Sequence, residues 1–215
     1  MPDGCASSIC PEVAPKDIVV VGGSAGAVQS ARALLGSLPA QFSATILIAL
    51  HRAPLAPGNL ATVLSRAARL PVVEPIGRSP LESGRIYLAA ADHHLLVEPN
   101  VVRGARGPHE HRHRPAIDPL FRSAAIAYGP RVVAVLLSGT GTDGTIGLWY
   151  VRDRGGLTVV QEDAPFRAMP EHGARVVGVQ HVLPVEAISR VLADLTEGAY
   201  RELRRSNQPA HEDEA

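Results

Sequence analysis

Apolar residues along this chain follow two rhythms. Unbroken runs at 17–22 (DIVVVG), 45–50 (TILIAL) and 131–137 (RVVAVLL) are rich in β-branched residues. Such runs mark strands buried on both faces of a parallel sheet. Between them the spacing becomes helical. Val28, Ala31, Leu34, Leu35 and Leu38 lie on one helix face before Pro39, and Leu60, Val63, Leu64 and Ala67 repeat the pattern after a Pro/Gly loop at 53–58. A strand at 157–161, a short strand near Val182 and a last helix over 185–197, with Ile188, Val191, Leu192 and Leu195 on one face, continue the alternation. Strands alternating with helices predict βαβ units.

The middle of the chain departs from this rhythm. Segments 71–74 and 85–90 read as short strands, and 95–98 and 101–103, joined by Pro99-Asn100, read as a hairpin. Residues 104–115 (GARGPHEHRHRP) are polar and punctuated by Gly and Pro, hence a loop. Asp118 and Pro119 suit the N-cap and first position of a helix running to Tyr128. A further helix follows Gly144 to about Arg154, and Met169-Pro170 falls in a loop. The predicted fold is therefore α/β, a doubly wound, mostly parallel Rossmann-like sheet with an antiparallel hairpin near one edge. One domain is expected over 16–198, between a loose arm at 1–15 and a polar tail at 199–215.

Composition narrows the functions open to this fold. The chain has 215 residues, 46% hydrophobic and 20% charged, which suits a packed core rather than disorder. Lys and Arg number 21 and Asp and Glu number 21, so the basic excess of a nucleic-acid binder is missing. No apolar run approaches the ~20 residues of a membrane span, and the first residues lack a secretory pattern. Two cysteines within the first ten residues make neither a disulfide framework nor a zinc site, and a reducing cytoplasm is the expected compartment.

In a doubly wound sheet, reactive groups gather beyond the carboxyl ends of the strands. Three such ends carry Ser24, His51 and Asp143. Ser24 sits in Gly22-Gly23-Ser24-Ala25-Gly26, a G-x-S-x-G turn between strand and helix. The turn lifts the hydroxyl, and the helix start offers free amides to an oxyanion. The same serine would equally serve as a helix cap. His51 could accept the serine proton, or be a rim histidine bonded to backbone. Asp143 could fix the imidazole tautomer, or cap the following helix, or both. Three such residues on three core strand ends point to a nucleophile, a base and an orienting carboxylate.

Other motifs compete. Gly139, Gly141 and Gly144 form G-x-G-x-x-G after a strand, with Glu162 about 20 residues on, the pattern of a dinucleotide-binding oxidoreductase. His93, His94, His109, His111 and His113 raise the question of a metal, but no ordered ligand spacing supports one, so none is expected. Arg103, Arg106, Arg112 and Arg114 make the same loop basic, which suits an acidic partner surface or simple solubility.

Eight segments in order resemble one family, the CheB-type protein-glutamate methylesterases of bacterial chemotaxis. They are VVVGGSAGAV (19–28), ILIALHRAP (46–54), LPVVEP (70–75), GRIYLAAADHHLLV (84–97), HRPAIDPLFRSAA (113–125), VAVLLSGTGTDGTIGL (133–148), GGLTVVQED (155–163) and AMPEHGA (168–174). The resemblance implies hydrolysis of γ-glutamyl methyl esters on chemoreceptors or related signalling proteins, with deamidation of glutamines as a second activity and no cofactor. It implies Ser24 as nucleophile, His51 as base and acid, and Asp143 as the orienting carboxylate. Ala25, Gly26 and Thr140 would serve the oxyanion, and Met169 the substrate. The chain departs from the family's usual pattern at Ala25, Ala27, Arg52 and Thr140, positions that bear on substrate preference. A receiver domain of the size usual in the family does not fit within 215 residues, so the expectation is either constitutive activity or regulation by a separate protein. A member that docks on receptors without catalysis is the non-enzymatic alternative.

Overall fold

Hydrogen-bonding demand explains the architecture. A strand apolar on both faces must be paired on both edges and covered on both sides. In the computed structural model, which describes residues 16–53 and 59–196, the four long runs become β1 (Ile18–Gly23), β2 (Thr45–Leu50), β8 (Val132–Leu136) and β9 (Leu157–Gln161), buried throughout. They are completed by β3 (Val72–Val73), β5 (Ile86–Leu88) and β10 (His181–Leu183). The seven strands lie in the order β10-β9-β8-β1-β2-β5-β3, and every pairing is parallel.

Side chains of β1 alternate between two cores. Val19 and Val21 join the core under α1 (Ala27–Gly36), α2 (Leu60–Ser65) and α6 (Val185–Thr196). Ile18 and Val20 face the core under α3 (Ile117–Tyr128), α4 (Thr145–Asp153) and α5 (Ala168–Gly173). The sheet is thus covered on both faces, and the doubly wound expectation holds.

The middle segment forms a separate antiparallel sheet of β4 (Gly77–Pro80), β7 (Val101–Ala105) and β6 (His94–Glu98). The expected hairpin is β6–β7, and β4 adds a strand the pattern did not announce. Its sequence, Gly-Arg-Ser-Pro, has no apolar alternation and is mostly exposed, so it is held by its ladder with β7 rather than by burial.

Two local expectations change. Asp118 is not a cap: α3 starts at Ile117, and Ala116 holds the cap position without a side-chain bond. Met169-Pro170 is helical rather than loop, because Pro170 stands in the first turn of α5, where no intrahelical N–H bond is lost. The expected arm, the tail and most of the Pro/Gly loop lie outside the described residues.

Candidate active site

The order in which strands are added reverses at β1, whose neighbours β8 and β2 come from far apart in sequence. A crevice opens at such a switch point, beyond the strand ends. Ser24 follows β1, His51 follows β2, and Asp143 stands in the turn after β8. Backbone bonds lock these ends together: Ser24 N donates to Ser138 O at 2.9 Å, and His51 N to Gly23 O at 3.0 Å. The turn into α1 depends on Gly26, which has φ 75°. A Cβ there would also lie 2.8 Å from Ser138 Oγ.

The three side chains meet in one line. His51 Nδ1 lies 3.1 Å from Ser24 Oγ, and His51 Nε2 lies 2.7 Å from Asp143 Oδ2. Side-chain exposure is 6% for His51 and 2% for Asp143. Asp143 also accepts from Ile117 N at 2.8 Å and from Asp118 N at 2.9 Å. It therefore caps α3 from another part of the chain, taking amides that a helix start leaves free. Burial opposes its charge, but the bonds from His51, Ile117 and Asp118 hold its carboxyl below the ordinary carboxylate value. An ionised carboxylate only accepts, so Nε2 carries the hydrogen and Nδ1 presents a lone pair to Ser24. That tautomer can take the hydroxyl proton.

A second set of groups backs the first. Glu110 N donates to His113 O at 3.2 Å and His113 N to Glu110 O at 2.8 Å, closing a tight turn over His111 and Arg112, whose φ values are 50° and 64°. Two left-handed residues in succession usually call for Asn and Gly, so this turn is strained. It brings the His113 ring onto His51, with centroids 3.6 Å apart and planes 13° from parallel. His113 has its pKa pushed down by desolvation first and by His51 second. His111 Nε2 meets Asp118 Oδ2 at 2.8 Å, while Gly147 N donates to Asp118 Oδ1 at 2.6 Å. Burial, and then the neighbouring Asp143, push the Asp118 carboxyl up.

His111, Asp118 and Asp143 each offer one ligand atom, all within 4.8 Å of one another. Hydrogen bonds from the protein already engage both carboxylates and His111. The sequence hinted at this assembly only through alternating His109, His111 and His113. Nothing in the pattern told which face of a turn each would take.

The remaining expected site residues surround Ser24. Ala25 and Gly26 form the turn into α1, and Thr140 is exposed on the loop after β8. Among the described residues, none of their three amides donates to a protein acceptor. Gly139 N is spent on Phe166 O at 2.9 Å. Met169 is fully buried and donates its amide to Gly139 O at 3.0 Å, so it shapes the site from beneath. Room that a pyrophosphate would need beside Gly139 and Gly144 is taken: a Cβ would meet Met169 Sδ at 2.6 Å in one case and Leu136 Cδ1 at 2.8 Å in the other. Gly139 and Gly144 thus pack against protein while Gly141 is open, and the dinucleotide reading is left unsupported.

A parallel α/β sheet with a hydroxyl, an imidazole and a carboxylate aligned at three neighbouring strand ends has the layout of a serine-hydrolase site. The chain belongs to the CheB methylesterase family, whose model matches residues 19–192. It is 39% identical over 186 residues to "Protein-glutamate methylesterase/protein-glutamine glutaminase 2" of Anaeromyxobacter dehalogenans, an alignment covering 84% of this chain and 53% of that protein. A putative enzyme of the same name from Leptospira interrogans is 30% identical over 182 residues, covering 83% of this chain and 94% of the relative. The chain thus spans about half of the first relative and nearly all of the second. Its fold matches the crystal structure of the Thermotoga maritima CheB methylesterase catalytic domain with TM-score 0.79 and 29% identity, over 85% of this chain and 100% of that one. No helix among the described residues is long and apolar enough to cross a membrane.

Proposed function

We propose that the protein is a serine hydrolase that removes methyl groups from glutamyl γ-methyl esters on chemoreceptor-type signalling proteins in the cytoplasm. The observation that carries this reading is the hydrogen-bonded line from Ser24 through His51 to Asp143. The names of the relatives support the substrate class.

In this mechanism Ser24 Oγ attacks the ester carbonyl while His51 Nδ1 takes its proton. Asp143 stabilises the imidazolium through Nε2–H. The amides of Ala25, Gly26 and Thr140 receive the oxyanion; removing one such donor typically costs about 10²–10³ in rate. The imidazolium then protonates departing methanol. Water, activated by the same ring, hydrolyses the acyl-enzyme to glutamate and free Ser24. A glutamine side chain entering the same route would lose ammonia in place of methanol. A methylated receptor is the partner.

Methanol release from methylated receptor is expected for the native protein and not for Ser24→Ala. A fluorophosphonate probe should label the native protein at Ser24. Equal methanol release by the two proteins would rule the mechanism out. A native protein that neither labels nor releases methanol would favour the non-catalytic docking reading.

A further inference from the structure

A hollow of about 330 Å³ opens beside His51. Besides Ala53, the described residues of its wall are His51, Arg52, His109, Arg112, His113 and Arg114, and none of them is a carboxylate. The arginines differ in what they have left to give. Arg114 is committed: Nε and Nη2 grip Asp92 Oδ1 at 2.8 and 2.6 Å, and Nη1 holds Gly107 O at 2.6 Å. Arg52 spends Nη2 on Glu74 at 2.6 Å and on Ala89 O at 2.9 Å, yet its buried Nε has no acceptor. Arg112 meets no acidic partner among the described residues. It stands at the tip of the strained turn that also sets His113 on His51.

Cationic groups in a concave wall focus a positive field and raise the local concentration of anions. Here that field borders the imidazole that would serve Ser24. We propose that the hollow is a subsite for an acidic side chain neighbouring the esterified residue, so that the enzyme selects glutamyl esters set in acidic segments. This rests on the esterase reading and specifies its substrate. His51 belongs both to the wall and to the line of reacting groups, so whatever fills the hollow sits next to the ester. Arg112, exposed at the tip of the turn, is the group left to receive the carboxylate, while the buried Arg52 adds its charge to the wall. The strain stored in the turn then has a purpose, since a relaxed loop would not hold Arg112 at this rim.

Two peptides test this. They are identical except that the residues flanking a single γ-methyl glutamate are Glu in one and Gln in the other. Methanol release gives kcat/KM for the native chain and for Arg112→Gln, whose substitution lies on an exposed tip. Anisotropy gives binding of both peptides to Ser24→Ala. The native enzyme is expected to favour the acidic peptide about fivefold or more, through KM, with the preference shrinking as salt rises. Arg112→Gln should bring the ratio close to one, and Ser24→Ala should bind the acidic peptide more tightly. Equal kcat/KM for the two peptides, or an unchanged ratio in Arg112→Gln, overturns the subsite. Inorganic phosphate bound by Ser24→Ala without any difference between the peptides also overturns it, because the hollow is then an anion site unrelated to substrate. Methanol from neither peptide overturns the esterase reading instead, and the anisotropy still judges the subsite.

Discussion

Asp143 serves two structures with one carboxylate. Its Oδ2 accepts from His51 and Ile117, and its Oδ1 accepts from Asp118. Replacement by Asn separates the two roles. The amide keeps one acceptor oxygen and puts an NH2 where donors already point. On the proposed mechanism kcat should fall about 10³–10⁴-fold, because the imidazole loses its tautomer control. Stability should also fall by about 1–3 kcal/mol, since a buried amide at the start of α3 loses its acceptor. Steady-state kinetics and guanidinium unfolding of Asp143→Asn measure both. A kinetic loss with unchanged stability would mean that the cap carries no weight. Much of this residue-level picture was legible in sequence, because Ser24, His51 and Asp143 each follow a buried apolar run. The trans cap was not legible. It depends on α3 arriving over β8 from the other side of the chain, and local spacing suggested Asp118 and Asp143 as caps of their own helices.

At the scale of elements, α3 and α4 pack closely at a glycine. A Cβ on Gly147 would lie 2.4 Å from Phe121 Cβ and 3.1 Å from Asp118 Oδ1. Helix propensity alone predicts that Gly147→Ala stabilises α4 by up to about 1 kcal/mol. Contact with the fully buried Phe121 reverses the sign, because neither backbone can retreat from a packed core. Net destabilisation of about 1–3 kcal/mol is expected. Thermal unfolding decides it: an unchanged or higher Tm would mean that the two helices slide apart at little cost. Elements rich in Val, Ile and Leu were readable because burial and propensity agreed. β4 was invisible because exposed backbone pairing leaves no apolar signature, and α5 was masked by Met169-Pro170, whose proline marks a helix start as readily as a turn.

For the molecule as a whole, net charge near zero conceals opposing carboxylates at the centre. Asp143 has a folded pKa below its unfolded 3.8, so its contribution to stability is present above that value and is lost as acid titrates it. Asp118 has the opposite sign. Its folded pKa lies above 3.8, so the folded state holds more protons, and its contribution to stability falls as pH rises through that window. Asp118→Asn should therefore remove a decline in stability above pH ~4 that the native protein shows, as read by guanidinium unfolding across pH. Parallel pH profiles for the two proteins would mean that Asp118 keeps an ordinary pKa. Global topology was readable for a related reason: βαβ alternation leaves few ways to order parallel strands. The polar turn at Glu110–His113 was not, since its conformation answers to partners on β2 and α3 rather than to its own sequence.

The shared carboxylate also constrains how this protein could change over generations. On the proposed mechanism, a lineage giving up hydrolysis could discard Ser24 or His51 and keep its fold. Discarding Asp143 would undo the seating of a helix as well. Descendants without enzymatic activity should therefore still carry that aspartate, long after Ser24 has gone.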